Sequence, residues 1–303
     1  MPDWSQTARL YALIAPKSST AVLLRRGPSD HVRMISWDLK TDIFTPGQWL
    51  KHRVYERRCD LSPDGRYFIY FAANYAKEIS TYSAISKPPF FTALAFWPQG
   101  NAWGGGGLFS GNGRTLYLNH GRSIANEKSA QTQLAPLPIR IKPLHENSGC
   151  GEDDPIRTYR MLRDGWTVVA KGSQSSWQGS SSPYNFAQRK PSIYQKRPKA
   201  QIGLPKWGLR LSSKYTGEQQ GRWNVEEACI ANVWGKTILE LGRVDWCDLD
   251  HNGDILWAWA GKLWRMKYNR DPRAFKLAQP KLLGDFNDMV FEEMEPSPEA
   301  RKW

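Results

Sequence analysis

Two stretches of this chain repeat one another across its length. Cys59-Asp60-Leu61-Ser62-Pro63-Asp64-Gly65 leads into Arg66-Tyr67-Phe68-Ile69-Tyr70-Phe71, and Cys247-Asp248-Leu249-Asp250-His251-Asn252-Gly253 leads into Asp254-Ile255-Leu256-Trp257-Ala258-Trp259. Cys, Asp and Leu fall at the same distances before the same Gly. Weaker copies stand at Asn112-Gly113, before Arg114-Thr115-Leu116-Tyr117-Leu118, and at Asp164-Gly165, before Trp166-Thr167-Val168-Val169. Asp-Gly and Asn-Gly between β-rich runs are strong hairpin signals, because tight hairpin turns need positive φ. Glycine takes that conformation without steric cost, and Asn or Asp tolerates it. The aromatic and branched run after each turn is what a packed strand requires. Cys59 and Cys247 therefore read as small apolar plugs in the cores of two different sheets.

The turn glycines at 65, 113, 165 and 253 are separated by 48, 52 and 88 residues, the last close to two steps of 44. Strand-turn-strand units at a period near 45–50 residues mark a β-propeller. The turn Asp60-Leu61-Ser62-Pro63-Asp64-Gly65 also resembles the repeat hairpin of WD-like, TolB-type β-propellers. The resemblance covers one short motif in each of four places. It implies the fold and leaves activity open, since propellers host enzymes, scaffolds and ligand binders alike.

The expected fold is all-β: one propeller of five or six irregular blades spanning residues 1–303, with a flexible, Ser-rich basic insertion at 172–200 and an acidic tail at 285–303. Within it, residues 158–172 are expected to form a third hairpin. Leu209 to Tyr215 would be a decayed unit, Glu226-Glu227-Ala228 would open a short helix, and 281–294 would hold a closing strand. Fifteen Trp supply ample core, while 20 Pro and 25 Gly fit a turn-rich protein and argue against long helices.

Asp3 precedes the only early apolar run, Leu10 to Ala15, which is too short for a signal peptide and reads as a strand. No stretch approaches the roughly 20 apolar residues of a membrane span. The four cysteines, Cys59, Cys150, Cys229 and Cys247, are too few for a disulfide scaffold and include no Cys-x-x-Cys pair. A reduced, cytoplasmic protein is the expectation.

Several constellations suggest chemistry. Asp248-x-Asp250-x-Asn252-Gly253-Asp254 looks like the start of a calcium loop. An EF-hand, however, needs Glu eleven residues after Asp248, and position 259 is Trp. The parallel with the Pro-containing turn at 60–65 favours plain hairpin chemistry. Asn101 to Gly111 is glycine-dense but lacks the Lys-Ser/Thr of a phosphate loop, so close backbone approach is the better reading. His31, His52, His120, His145 and His251 show no metal-ligand spacing and read as scattered surface or turn histidines. His145 and Cys150, with Glu146, Glu152 and Asp153 nearby in an irregular loop, leave room for a hydrolytic site there. No metal or cofactor is expected.

The net charge of +13 is unevenly spread. Between Asp164 and Glu218 there is no acid, but there are nine cations: Lys171, Arg189, Lys190, Lys196, Arg197, Lys199, Lys206, Arg210 and Lys214. The C-terminal stretch is the opposite, with Asp285, Asp288, Glu292, Glu293, Glu295 and Glu299. Cations interleaved with Trp177, Tyr184, Tyr194, Trp207 and Tyr215 are what a nucleic-acid surface uses, since cations neutralise phosphate and aromatic rings stack on bases. The same charges suit an acidic protein surface, the chain's own acidic tail, or plain solvation. The candidate contact residues are Trp177, Arg189, Lys190, Tyr194, Lys196, Arg197, Lys199 and Lys206. The expected function is a non-catalytic interaction module, a scaffold or adaptor, for a protein partner, with an acidic partner one option. Nucleic-acid binding through 171–214 is the alternative, and a hydrolase or lyase with an axial pocket is the second alternative.

Overall fold

The computed structural model describes residues 7–27, 31–74, 79–120, 138–145, 154–172, 190–199, 207–219, 222–267 and 278–303. The chain divides into two compact units. One comprises residues 11–164 and 288–303, the other residues 1–10 and 165–287. Among the described residues five sheets follow one another along the sequence, as the blades of a β-propeller do.

In the first unit, β1 (Arg9–Ile14), β2 (Thr20–Arg26), β3 (Val32–Asp38) and β4 (Ile43–Leu50) form a sheet in chain order, the unit boundary falling inside β1. The second sheet holds β5 (Arg53–Val54), β6 (Asp60–Leu61), β7 (Phe68–Ala73), β8 (Thr81–Ser86) and β9 (Ala95–Pro98). The third is short: β10 (Gly107–Phe109) pairs antiparallel with β11 (Thr115–Leu118), which pairs parallel with β12 (Arg140–Pro143).

Strand β7 is buried at every position. Successive side chains of a strand point to opposite faces. Phe68, Tyr70 and Ala72 thus enter one core with Leu13, Val22, Met34 and Leu61. Ile69 enters another with Ile85, Trp97, Phe109 and Leu116. A strand covered on both faces needs an unbroken apolar run, which Phe-Ile-Tyr-Phe-Ala-Ala supplies.

The turns at Gly65 and Gly113 match atom by atom. Gly65 N–H donates to Ser62 O at 2.8 Å, and Gly113 N–H to Ser110 O at 2.8 Å. The Ser62 hydroxyl donates to Asp64 at 2.7 Å and accepts Tyr67 N–H at 2.9 Å. Ser110 does the same with Asn112 at 2.7 Å and Thr115 N–H at 3.0 Å. In the last copy the Asp250 carboxylate takes the place of the hydroxyl, accepting Asn252 N–H at 2.8 Å and Asp254 N–H at 2.9 Å. Gly65, Gly113 and Gly253 all have φ between +74° and +84°. Cys59 and Cys247 are both buried, and burial pushes the Cys59 thiol well above its ordinary range.

The fourth copy is different. Asp164-Gly165 ends a helix, α1 (Asp154–Arg163), rather than turning a hairpin, so the third hairpin expected at 158–172 does not exist. Ile156, Arg157, Arg160 and Met161 are buried, at helical rather than alternating spacing. Asp164 N–H still closes a helical bond to Arg160 O at 2.9 Å, and Gly165 follows at φ +93°, the usual helix stop.

In the second unit, β13 (Trp166–Ala170), β14 (Ser192–Lys196), β15 (Trp207–Gln219), β16 (Arg222–Asn232) and β17 (Thr237–Arg243) form a five-stranded antiparallel sheet. The short helix expected at Glu226 is part of β16, where pairing with β15 and β17 overrides local helix preference. The decayed unit at 209–215 is part of the long strand β15. The basic insertion expected at 172–200 contains β14, a central strand. The last sheet runs β18 (Trp246–Leu249), β19 (Ile255–Trp259), β20 (Lys262–Met266) and β21 (Lys281–Asp285). Asn287 then accepts Ala8 N–H at 2.9 Å and donates to Ala260 O at 3.0 Å.

The glycine-dense segment is a close backbone approach. A Cβ on Gly105 would lie 2.1 Å from the Phe71 ring, and one on Gly106 would lie 2.1 Å from the Arg58 carbonyl. Gly106 also sits at φ +78°. Gly106→Ala combines left-handed strain with a backbone clash and should cost at least about 2 kcal/mol in chemical denaturation. Gly111, whose Cβ would meet nothing within 4 Å, should tolerate Ala within about 0.5 kcal/mol.

Candidate interaction surfaces

Strands β13 and β14 position the basic window. Their register pairs Trp166 with Lys196, Val168 with Tyr194 and Ala170 with Ile193. Lys171 and Lys190 therefore flank one end of this ladder, and Arg197 and Lys199 follow the other. All four are exposed. Five strand residues separate the two ends by roughly 17 Å. That is about twice the Debye length at physiological salt, so the charges at the two ends are largely screened from one another. Between them Thr167, Val168 and Val169 are also exposed.

The other expected contact residues are placed differently. Tyr194 is buried within β14 and Trp207 within β15, so neither offers a ring to a base. The pleat accounts for this, because β14 is flanked by a strand on each side and Tyr194 pairs with Leu211 across it. The Lys196 ammonium donates to Asp248 Oδ1 at 2.6 Å and is engaged within the fold. Arg210 donates to Gly235 O at 3.1 Å. Trp177, Tyr184, Arg189 and Lys206 lie outside the described residues, as does the side chain of Tyr215.

Asp248 and Asp60 occupy the same place in the Cys-Asp-Leu repeat, and each anchors a cation from another segment. Asp60, 1% exposed, holds Arg163 through bonds of 2.6 and 2.9 Å and also accepts Phe109 N–H at 2.7 Å. Burial works against the Arg163 charge, but Asp60 and Asp164 outweigh it and raise its pKa. The equivalence with Asp248 and Lys196 was visible in the spacing of the carboxylates; the cations that answer them were not. The calcium-like loop is a plain turn: Arg265 donates to both Asp250 and Asp254, and among the described residues no group of His, Cys, Asp and Glu suits a metal.

His120 corrects the view of the histidines as superficial. It is fully buried, and its Nε2 lies 2.8 Å from the Ser83 hydroxyl, which also accepts Gly106 N–H at 2.7 Å. The distance is that of a nucleophile and its base, but both side chains are sealed from solvent. Burial lowers the His120 pKa to about 4. His145 is half-buried, and Cys150, Glu146, Glu152 and Asp153 lie outside the described residues.

The acidic tail is docked rather than free. Glu292 pairs with Arg33, and Gln48 Nε2 donates to Met294 O at 3.0 Å. Phe291 rests against His31 with ring centroids 4.8 Å apart, and Trp303 lies 5.8 Å from the Tyr67 ring. Beneath Phe291 and Glu292, Trp49 carries the Arg25 and Arg33 guanidinium groups 5.5 and 5.2 Å from its ring centroid. Burial first, and the Arg33 charge second, lower the Arg25 pKa.

No family model and no curated protein matches the chain. Solved structures similar to it include an uncharacterized protein from Listeria monocytogenes EGD-e, 9% identical, at a TM-score of 0.30 over 93% of this chain and 84% of that one. Another is the β-propeller domain of the Trilobed protease from Pyrococcus furiosus, 9% identical, at a TM-score of 0.33 over 93% of this chain and all of that one. Likenesses of this size carry nothing about activity; the sheets themselves define the architecture. Among the described residues no helix is long and apolar enough to cross a membrane.

Two outcomes are expected here. His120 is neutral in the fold and would ionise near pH 6.5 when unfolded, so its contribution is present above pH 6.5 and is lost as pH falls through about 4. A stability-pH curve should drop by up to about 3 kcal/mol across that window, and His120→Asn should flatten it there. Asp60→Ala strands a mostly buried arginine and should cost about 3–5 kcal/mol. Asp248→Ala, at a pair each 15% exposed, should cost about 2 kcal/mol.

Proposed function

We propose that this protein is a non-catalytic interaction module that holds an acidic protein partner on the cationic surface around β13 and β14. The observation that carries this reading is the placement of Lys171, Lys190, Arg197 and Lys199, all exposed, at the two ends of one ladder. That ladder lies in a window of nine cations with no acid. The exposed Val168 and Val169 between the two ends favour a partner with an apolar centre and acidic flanks. The burial of Tyr194 and Trp207 removes two of the rings that single-stranded nucleic acid would stack on, and so favours protein over nucleic acid.

Affinity for such a partner should fall as salt rises, because the contact is largely between exposed charges. Charge reversal of Lys171, Arg197 and Lys199 together should weaken binding at least tenfold and leave thermal stability unchanged. Lys196 is left out of this triple variant because its reversal would set two carboxylates against each other at Asp248. The measurement is capture of partners by the purified protein from its native host, identified by mass spectrometry, followed by titration of the captured partner at two salt concentrations. A partner indifferent to both salt and the triple reversal would show these cations to be only a solvated face.

A further inference from the structure

The unit formed by residues 11–164 and 288–303 already holds an acidic peptide: its own. Residues 290–294 lie over a groove lined by Arg33, Gln48, Trp49 and His31, with Arg25 packed against the Trp49 ring. Each contact made there is one that a separate peptide can make. The Glu292 carboxylate takes Arg33, the Met294 carbonyl accepts Gln48 Nε2 at 3.0 Å, and the Phe291 ring lies 6.2 Å from Trp49 and 4.8 Å from His31.

The groove is rigid. Gln48 is fixed from behind, its Oε1 accepting Phe91 N–H at 2.8 Å and Thr92 N–H at 3.2 Å. Arg33 Nε donates to Gly47 O at 3.3 Å, which holds the rest of the guanidinium toward the occupant. The occupant, by contrast, is held lightly. Val290 is 77% exposed and Phe291 55% exposed, and Glu292 keeps 56% of its side chain in solvent. Among the described residues Trp49 Nε1 is buried without an acceptor, so the segment leaves that donor of the groove unused. The anchor of the tail lies further on, where Ser297 caps the turn Pro298–Arg301, Ala300 is buried, and Trp303 joins the core around Tyr67 and Ile69. Residues 290–294 can therefore lift while 297–303 stay in place.

We infer that this groove is a second binding site, for an extended acidic segment of a partner protein in which an aromatic residue precedes glutamates, and that residues 290–294 occupy it in its absence. The Arg33 guanidinium, held over the Trp49 indole, selects the anionic character, the fixed Gln48 amide reads a backbone carbonyl, and the Trp49–His31 wall takes the aromatic ring. The site shares no residue with the β13–β14 surface, and its test does not depend on that reading.

The probe is a fluorescent peptide with the sequence of residues 288–296, titrated against the full chain. Wild type should bind it weakly, because the tethered copy competes at high effective concentration. The double variant Phe291→Ala, Glu292→Ala should bind it at least tenfold more tightly. Adding Arg33→Glu should remove that gain, and so should replacing the peptide's phenylalanine by alanine. Reversal of Arg197 and Lys199 should leave it intact, which separates this site from the other surface. A folded double variant that binds no better than wild type would overturn the inference. So would binding indifferent to Arg33→Glu, or a wild-type dimer in sedimentation that dissociates in the double variant, since the groove would then serve a second copy. Should the double variant fold poorly, hydrogen exchange on the unaltered chain decides: amides 290–294 should exchange much faster than β3, and equal protection would refute an exchangeable occupant.

Discussion

A strand with both faces buried has no solvent side to fall back on, and β7 imposes that condition on the first unit. Its six residues must be matched above and below, by the Leu13–Met34 side on one face and by Trp97, Phe109 and Leu116 on the other. Slipping its register by one residue would exchange Phe68 and Tyr70 with Ile69 and Phe71 and fit neither core. The pairing of β7 with β6, the approach of Gly105 to Phe71 and the Tyr70 hydroxyl bond to Phe91 O at 2.6 Å all follow from holding this strand in one position. The neighbouring features are packed around it: the glycine run that lets the backbone touch a ring, the sealed Ser83–His120 pair, and the guanidinium groups that thread between loops.

Local chemistry was readable in the sequence where it is decided within a few residues. The turns at Gly65, Gly113 and Gly253 depend on a side-chain oxygen and a positive φ, both local, and their hydrogen bonds repeat as the spelling does. The same spelling misled at Gly165. Asp-Gly serves a helix stop as well as a hairpin, and only the helical spacing of Ile156, Arg160 and Met161 separates the two. Glu226-Glu227-Ala228 failed for the opposite reason: a strand between two partners takes its conformation from the ladder rather than from helix propensity. All-β architecture in blade-like sheets was legible; the five-stranded width of the 166–243 sheet and the parallel strand β12 were not, because pairing partners lie far apart in sequence.

The candidate surfaces divide in the same way. Charge is additive along a sequence, so the basic window could be found by counting. Exposure is not additive. Tyr194 and Lys196 are two residues apart and both polar at the tip, yet one is buried between strands and the other is spent on Asp248. The groove under the tail left only a faint trace, an aromatic followed by glutamates near the C-terminus. Its receptor is assembled from β2, β3 and β4 by pleat and twist, and no spacing rule connects Arg25, Arg33 and Trp49 to Phe291.

Asp60 gives the chain a schedule. Its carboxylate is taken out of water between Phe109 N–H and the Arg163 guanidinium, 49 and 103 residues further along. During synthesis on a ribosome at about 5–20 residues per second, Arg163 emerges about 5–20 s after Asp60. Until then the second sheet cannot close over an ionised carboxylate without stranding it. The nascent chain must keep that hairpin open to solvent while its third sheet and helix are still being made. A repeat unit that looks self-contained in the sequence is thus obliged to wait for its neighbours. A pause in translation between residues 65 and 163 would prolong the exposure of an apolar strand, Phe68 to Ala73, that has nowhere else to go.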